Sequence, residues 1–268
     1  MKFLNGKELA GYIQTRQQHE ARALIQSRHI QPKLAIVVTI DHPVINVYMR
    51  MKQRYGDELG VVVEVHRIKQ QDAPATIQQL NDDPAVHGII VQLPLEDPSQ
   101  TDAIVDLVAP QKDVDGLGKN AVLDPATPMA ILWLLAGYNV DFRGKKVVLI
   151  GRGKLVGAPL ERMLLASGVD VSVADRETPD LAAVTKDADI IITATGSPAI
   201  LYSDMIKQGA VVVDAGVAGE GGKTVGDLAP DVYEREDLSV TPTKGGVGPL
   251  TVCALFENVI RAAQATTD

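Results

Sequence analysis

A chain of 268 residues that is 46% hydrophobic and 22% charged has the composition of a soluble globular protein and can bury one large or two modest cores. A formal net charge of -8, with an isoelectric point near 5.2, excludes the basic footprint of a nucleic-acid binder, and no basic run suggests a membrane-surface patch. An anionic substrate therefore needs a local cationic pocket.

The opening residues, from Met1 to Lys7, carry no apolar signal core, and no apolar run has the length of a membrane span. A cytoplasmic protein without membrane or nucleic-acid partners is expected. Cys253 is the single cysteine, so no internal disulfide and no zinc cluster can form. Its apolar surroundings, Val252 to Phe256, predict a buried helix residue.

In chain order, residues 6–28 read as an amphipathic helix, 33–39 as an apolar strand, and the next stretch as a helix carrying Tyr48 and Lys52. Four residues apart on a helix, a phenol and an ammonium stack on one face. Gly60 reads as a helix stop and 61–65 as a second strand, and Asp72 with Pro74 marks the start of another helix. A third strand, 88–92, ends at Leu93-Pro94-Leu95, because proline has no N–H for the ladder and disfavours helix in the residue before it. Gln92 thus stands at a strand's C-terminal end, where open α/β sheets hold ligands.

A helix near 98–108 leads into the charged, glycine-bearing loop 109–118, unsuited to a core. A helix from about Thr127 connects to the second half, and the domain change is expected between about Leu117 and Lys145. Strand 147–150 runs into Gly151-Arg152-Gly153-Lys154-Leu155-Val156-Gly157, a glycine-rich turn that opens a helix. Backbone amides in such a turn can approach a pyrophosphate at the helix N-terminus. The spacing is one residue longer than the common fingerprint, and a tight structural turn is the competing reading.

Further strands at 169–174, 189–194 and 210–213 complete a Rossmann-like half. Asp175, after its second strand, would grip ribose hydroxyls and favours NAD, whereas Arg152 and Arg176 favour the 2′-phosphate of NADP. Gly196, and Gly216 followed by Val217, end later strands, where glycine could admit cofactor rings or simply make a turn. His42, His66 and His87 have no ligand spacing, so no metal site is expected. Trp133 reads as a packing residue.

Five blocks in order carry a resemblance: Tyr48 to Lys52, Gly88 to Leu95 with its V-Q-L-P-L, the K-D-V-D-G of Lys112 to Gly116, the glycine loop and helix start from Gly151 to Pro159, and Thr241 to Thr251, which ends in Gly245-Gly246-Val247-Gly248-Pro249-Leu250-Thr251. Together they resemble the methylenetetrahydrofolate dehydrogenase/cyclohydrolase family over most of the chain. The resemblance implies an α/β fold with an N-terminal catalytic domain (1–121, completed by a C-terminal helix over 250–268), a Rossmann-like domain (122–249), and an active-site cleft between them. It also implies a cytoplasmic homodimer of one-carbon metabolism that serves purine biosynthesis. Its two activities would be oxidation of methylenetetrahydrofolate by a nicotinamide cofactor, then hydrolysis of the methenyl product to 10-formyltetrahydrofolate.

By the same resemblance Lys52 is the central catalytic group, with Tyr48 beside it and Gln92 as its hydrogen-bond partner. Asp115 anchors the pterin, while Tyr48, Gly246 and Pro249 contact substrate. Gly151, Arg152, Gly153, Val156, Gly157, Asp175, Arg176, Gly196, Gly216 and Val217 bind the cofactor. Asp115 can accept paired hydrogen bonds from a pterin ring N–H and exocyclic amine. Asp113 is the better candidate for capping its own loop. Because hydride loss leaves a cationic folate, Lys52 is expected to act as a neutral amine that accepts a proton from the attacking water.

The chain departs from the family pattern at Ile45, where a serine is usual, at Ala130, at Gly153, at Asp175 and at Lys244. Lys244 either attracts the substrate's anionic glutamate tail or solvates a loop. NADP is the expected cofactor, with NAD the alternative on account of Asp175. The rival functions are a dehydrogenase without hydrolase activity, motivated by Ile45, and a non-catalytic folate- or nucleotide-binding regulator.

Overall fold

The computed structural model describes residues 1–220 and 223–266. It opens with strand β1 (Lys2–Phe3) and helix α1 (Gly6–Arg28). Strands and helices then alternate through β2 (Lys33–Val38), α2 (Pro43–Leu59), β3 (Val62–Arg67), α3 (Ala73–Asp82) and β4 (Gly88–Val91). Gly60 stops α2 with a left-handed φ of 76°, and the Val61 N–H closes back on the Gly56 carbonyl. That is the glycine-terminated end the sequence predicts. The helix expected near 98–108 is shorter: a 3-10 turn at Pro98–Gln100 precedes α4 (Thr101–Val105). Pro110 disfavours helix at Ala109 and sends the chain into the loop.

β2, β3 and β4 form a parallel sheet in the order β3-β2-β4. The strands following β2 lie on opposite sides of it, so a crevice opens between the C-terminal ends of β2 and β4. β4 is buried throughout and β2 from Leu34 to Val38, as expected of a parallel sheet covered on both faces. Val37, Ile77, Ile89, Leu95 and Ile104 share one core cluster on this sheet.

The second half runs through α5 (Ala126–Gly137), β5 (Val147–Ile150), α6 (Gly157–Ala166), β6 (Val171–Ala174), α7 (Leu181–Thr185), β7 (Ile190–Thr193) and β8 (Val211–Asp214). The short hairpin β9 (Ala218–Glu220) and β10 (Lys223–Val225), strand β11 (Ser239–Val240) and helix α8 (Val247–Ala265) follow. A six-stranded sheet has the order β1-β11-β8-β7-β5-β6, with every pairing parallel. Its switch point lies between β5 and β7.

Two compact units result. One contains Met1–Ala10 and Thr127–Thr251, the other Gly11–Ala126 and Val252–Asp268. The boundaries 1–121 and 122–249 did not separate the first ten residues, yet these group with the larger sheet because β1 pairs with β11 through Lys2↔Ser239 and Phe3↔Val240. A strand of two residues is too short to show a period in sequence. Helix α8 begins at Val247, three residues earlier than the sequence boundary, since Pro249 falls in the first turn, where its missing N–H costs nothing.

Candidate active site

Helix α2 positions Lys52. Ile45, Met49 and Leu59 are buried, and Gly56 packs so tightly that a Cβ there would strike Val63. Lys52 occupies the same stripe, at a spacing of three or four residues from each neighbour, and so carries its amine inward. Ile45, where a serine hydroxyl was expected from the family pattern, completes this apolar stripe at 5% exposure.

Gln92 follows β4, its N–H bonded to the Val37 carbonyl of β2 at the sheet's switch point. The Gln92 Nε2 donates to the Leu93 carbonyl at 2.9 Å, which turns its Oε1 toward Lys52. Lys52 Nζ donates to that oxygen at 2.9 Å. The side-chain amide is thereby committed at both ends.

The K-D-V-D-G segment builds the third member. Lys112 Nζ donates to the carbonyls of Leu80, Asn81 and Asp83 at 3.1, 2.8 and 2.7 Å, capping the C-terminal end of α3. Asp113 accepts the N–H of Gly116 on Oδ1 at 2.9 Å and that of Gly118 on Oδ2 at 2.8 Å. It is the loop cap that the sequence singled out. Val114 is fully buried against Gly88, and Asp113 bridges Ile89 in parallel register. That register carries Asp115, two residues on, toward the end of β4 where Gln92 lies. Asn258 of α8 secures the loop by donating to the Val114 and Asp124 carbonyls at 2.9 and 2.8 Å.

Lys52 and Asp115, both half-buried, act on one another through their charges. Burial pushes the Lys52 ammonium below the ordinary lysine range, opposed by the charge of Asp115. Burial likewise raises Asp115, opposed by Lys52. Lys52, Gln92 and Asp115 are therefore brought together as the sequence expected. Tyr48 is 38% exposed on the shoulder of the helix, and among the described residues no hydrogen bond joins its hydroxyl to the other three. On the same helix, and unsuspected from sequence, the half-buried Tyr55 places its hydroxyl 2.8 Å from Gln17 Oε1 and 3.1 Å from Cys253 Sγ. This explains Cys253 as a packed network member rather than a nucleophile.

In the other unit the glycine loop joins β5 to α6. Gly151 has φ +97°, and a Cβ there would lie 2.7 Å from the Ala194 carbonyl oxygen. A Cβ at Gly157 would overlap the Gly151 carbonyl, so the loop closes only around glycine at both ends. At Gly153 nothing lies within 4 Å of a Cβ, leaving open backbone beside the first turn of α6. Val156 is half-buried just ahead of that turn. These residues fit a pyrophosphate: glycine-shaped backbone, exposed amides and a helix N-terminus.

The charged candidates divide. The Arg152 guanidinium is engaged by Glu161 at 2.7 and 3.2 Å, so its charge is already committed within the protein. Arg176 is exposed just beyond β6. Asp175 turns Oδ1 onto the Glu177 N–H at 2.9 Å, capping its own turn. Gly196 has φ +64° and approaches the Val217 carbonyl, while Val217 is 60% exposed. Gly216 has a structural reason for its identity, since a Cβ there would overlap the buried Asp227 carboxylate. In the turn before α8, Gly246 packs a 3.1 Å Cβ position against Thr241, and Pro249 is half-buried.

Comparison with known proteins gives a consistent result. The catalytic-domain model of the tetrahydrofolate dehydrogenase/cyclohydrolase family matches residues 4–115, and that family's NAD(P)-binding-domain model matches 125–267. A Moorella thermoacetica protein named bifunctional protein FolD is 39% identical over 277 residues, spanning 98% of this chain and 99% of the relative. The crystal structure of the Campylobacter jejuni bifunctional enzyme FolD superposes with a TM-score of 0.92 at 36% identity, covering 99% of both chains. The Trypanosoma brucei FolD structure, complexed with NADP cofactor and inhibitor, has a TM-score of 0.89 at 28% identity, covering 99% of this chain and 98% of that one.

Proposed function

The chain belongs to the tetrahydrofolate dehydrogenase/cyclohydrolase family, and from that premise we propose that it oxidises 5,10-methylenetetrahydrofolate with NADP and hydrolyses the methenyl product to 10-formyltetrahydrofolate. The observation that carries the reading is the Lys52–Gln92 hydrogen bond of 2.9 Å, with the Asp115 carboxylate close enough to act on the lysine's charge.

Neutral Lys52 has two N–H bonds and one lone pair. With one N–H held by Gln92 Oε1, the lone pair is free to take a proton from water attacking the methenyl carbon. Burial favours the neutral form, and a cationic substrate would favour it further. Asp115 offers two acceptor oxygens to the pterin's adjacent N–H donors. Tyr48 presents an exposed ring on the same helix as a substrate contact. When bound, NADP supplies the hydride acceptor; the loop from Gly151 to Gly157 would hold its pyrophosphate. Hydride transfer depends chiefly on position and makes little demand on Lys52.

Hydrolysis should rise with pH through an apparent pKa below the ordinary lysine value of about 10.4. Since Asp115 opposes the lowering at Lys52, Asp115→Asn should move that midpoint to still lower pH at saturating substrate. An upward shift in the kcat profile contradicts this assignment.

For the cofactor, exposed Arg176 beyond β6 supports NADP, as does the NADP bound by the Trypanosoma brucei relative. The Asp175 carboxylate favours the second reading, NAD, because it would repel a 2′-phosphate. Steady-state comparison of both nucleotides decides between them. Arg176→Ala is expected to raise the KM for NADP about tenfold, the low end for a charged hydrogen bond at an exposed site, and to leave that for NAD unchanged. Equal effects on both would favour NAD. The family resemblance further supports a cytoplasmic homodimer whose formyl product serves purine biosynthesis.

A further inference from the structure

Two carboxylates that no step above uses are interlocked at the C-terminal ends of β7 and β8. Asp227 is fully buried; its Oδ2 accepts the Thr195 N–H at 2.8 Å and its Oδ1 the Ser197 N–H at 3.0 Å. Asp214, the last residue of β8, accepts on Oδ1 the Gly216 N–H at 2.9 Å and the Thr193 hydroxyl at 3.3 Å. Its Oδ2 accepts the N–H of Asp227 at 2.9 Å and that of Leu228 at 3.2 Å.

The fit is reciprocal. A Cβ at Gly216 would overlap the Asp227 carboxylate, and one at Gly226 would overlap the Asp214 carboxylate. The two Asp–Gly neighbourhoods close the base of the β9–β10 hairpin like a clasp, each carboxylate filling the space the other's glycine leaves. Its bonds reach the loops bearing Gly196, Gly216 and Val217. Through Thr195 it also reaches the phosphate loop, because the Thr195 methyl carbon lies 2.9 Å from a Cβ position at Gly151.

Both carboxylates are matched by backbone N–H donors and one hydroxyl, a geometry that fixes direction as well as position. An amide in place of Asp227 would set an NH2 against a backbone N–H, forcing one strand-end loop away. The loops at the switch point of this sheet are where a dinucleotide is held.

We propose that the Asp214–Asp227 clasp is the positioning element that aligns the β5, β7 and β8 end loops for hydride transfer, an inference that rests on the dehydrogenase reading above. Neither residue acts on substrate. The clasp lies wholly in the cofactor-side unit, whereas Lys52, Gln92 and Asp115 lie in the other. Its loss should therefore separate the two activities.

The test measures dehydrogenase and cyclohydrolase rates on the same preparations of wild type, Asp227→Asn and Thr193→Val. Asp227→Asn is expected to lower the dehydrogenase kcat about 10²-fold, the cost of misplacing reacting groups by roughly 1 Å, with hydrolysis of supplied methenyltetrahydrofolate kept within about threefold. Thr193→Val, which removes one donor without changing shape, should lower the dehydrogenase kcat about three- to tenfold with hydrolysis intact. Equal loss of both activities in folded protein, or an unchanged dehydrogenase, overturns the proposal. Should Asp227→Asn fail to fold, Thr193→Val decides alone by the same criterion. A wild type that oxidises no methylenetetrahydrofolate overturns the dehydrogenase reading itself and the clasp's role with it.

Discussion

Replacing Lys52 with methionine is expected to slow hydrolysis of methenyltetrahydrofolate by about 10²–10⁴-fold, the usual contribution of a positioned general acid–base group. Methionine keeps the length and apolar stem of lysine, so the α2 stripe through Ile45, Met49 and Leu59 stays packed. It removes the proton acceptor and leaves Gln92 Oε1 without its partner at 2.9 Å. At pH values where Lys52 is protonated in the free enzyme, the variant also lacks the charge that opposes the upward shift of Asp115, so there the pterin anchor becomes easier to protonate and folate binding weakens. The dehydrogenase should survive with a raised folate KM, because hydride transfer needs no base. Undiminished hydrolysis in this variant would remove Lys52 from the mechanism.

The second large effect belongs to Gly157→Ala. The new methyl would overlap the Gly151 carbonyl, which is backbone and cannot rotate aside. The loop must open, or α6 must shift its first turn. Overpacking of this kind costs about 1–3 kcal/mol, or roughly a 5- to 150-fold loss if it falls on the nucleotide-binding conformation. Nucleotide affinity measured by calorimetry should drop accordingly, while hydrolysis of supplied methenyltetrahydrofolate changes little. Gly153→Ala is the control: its Cβ meets nothing within 4 Å in the protein, so any loss there reports on the approach of the nucleotide itself. Hydrolysis lost in Gly157→Ala to the same extent as nucleotide affinity would contradict the separation of roles.

Much of this was legible because it rests on local physics. Gly60 with its left-handed φ, Pro94 ending β4, and the apolar runs of β2, β4 and β5 each dictate their own structure. Gln92 could be placed at a strand end from Pro94 alone, and Asp113 could be separated from Asp115 because two neighbouring carboxylates seldom share a task. Strand β1 was not legible: two residues carry no period, and their partner, Ser239–Val240, lies at the far end of the chain. Lys112 looked like a member of a charged cluster until α3 brought three carbonyls to it.

The roles of the glycines divided in the same way. Gly151 and Gly157 read in sequence as parts of a glycine-rich turn opening a helix, and the structure places both where a Cβ would meet backbone. Gly216 offered two readings in sequence, and its immediate reason is Asp227, eleven residues further on across a hairpin. Arg152 reads in sequence as a phosphate ligand, and its ion-pair partner Glu161, one turn into α6, is set by the fold. Long-range partners of this kind are set by tertiary contact, which periodicity and spacing do not record.

The measurement that bears most directly on the central claim is a single progress curve started from methylenetetrahydrofolate and NADP, with reduced nucleotide and methenyltetrahydrofolate followed together. Two linked activities predict that reduced nucleotide outruns the methenyl species, the difference being 10-formyltetrahydrofolate formed faster than in solution without enzyme. Methenyltetrahydrofolate accumulating one-for-one with reduced nucleotide, and then decaying only at its spontaneous rate, would contradict it.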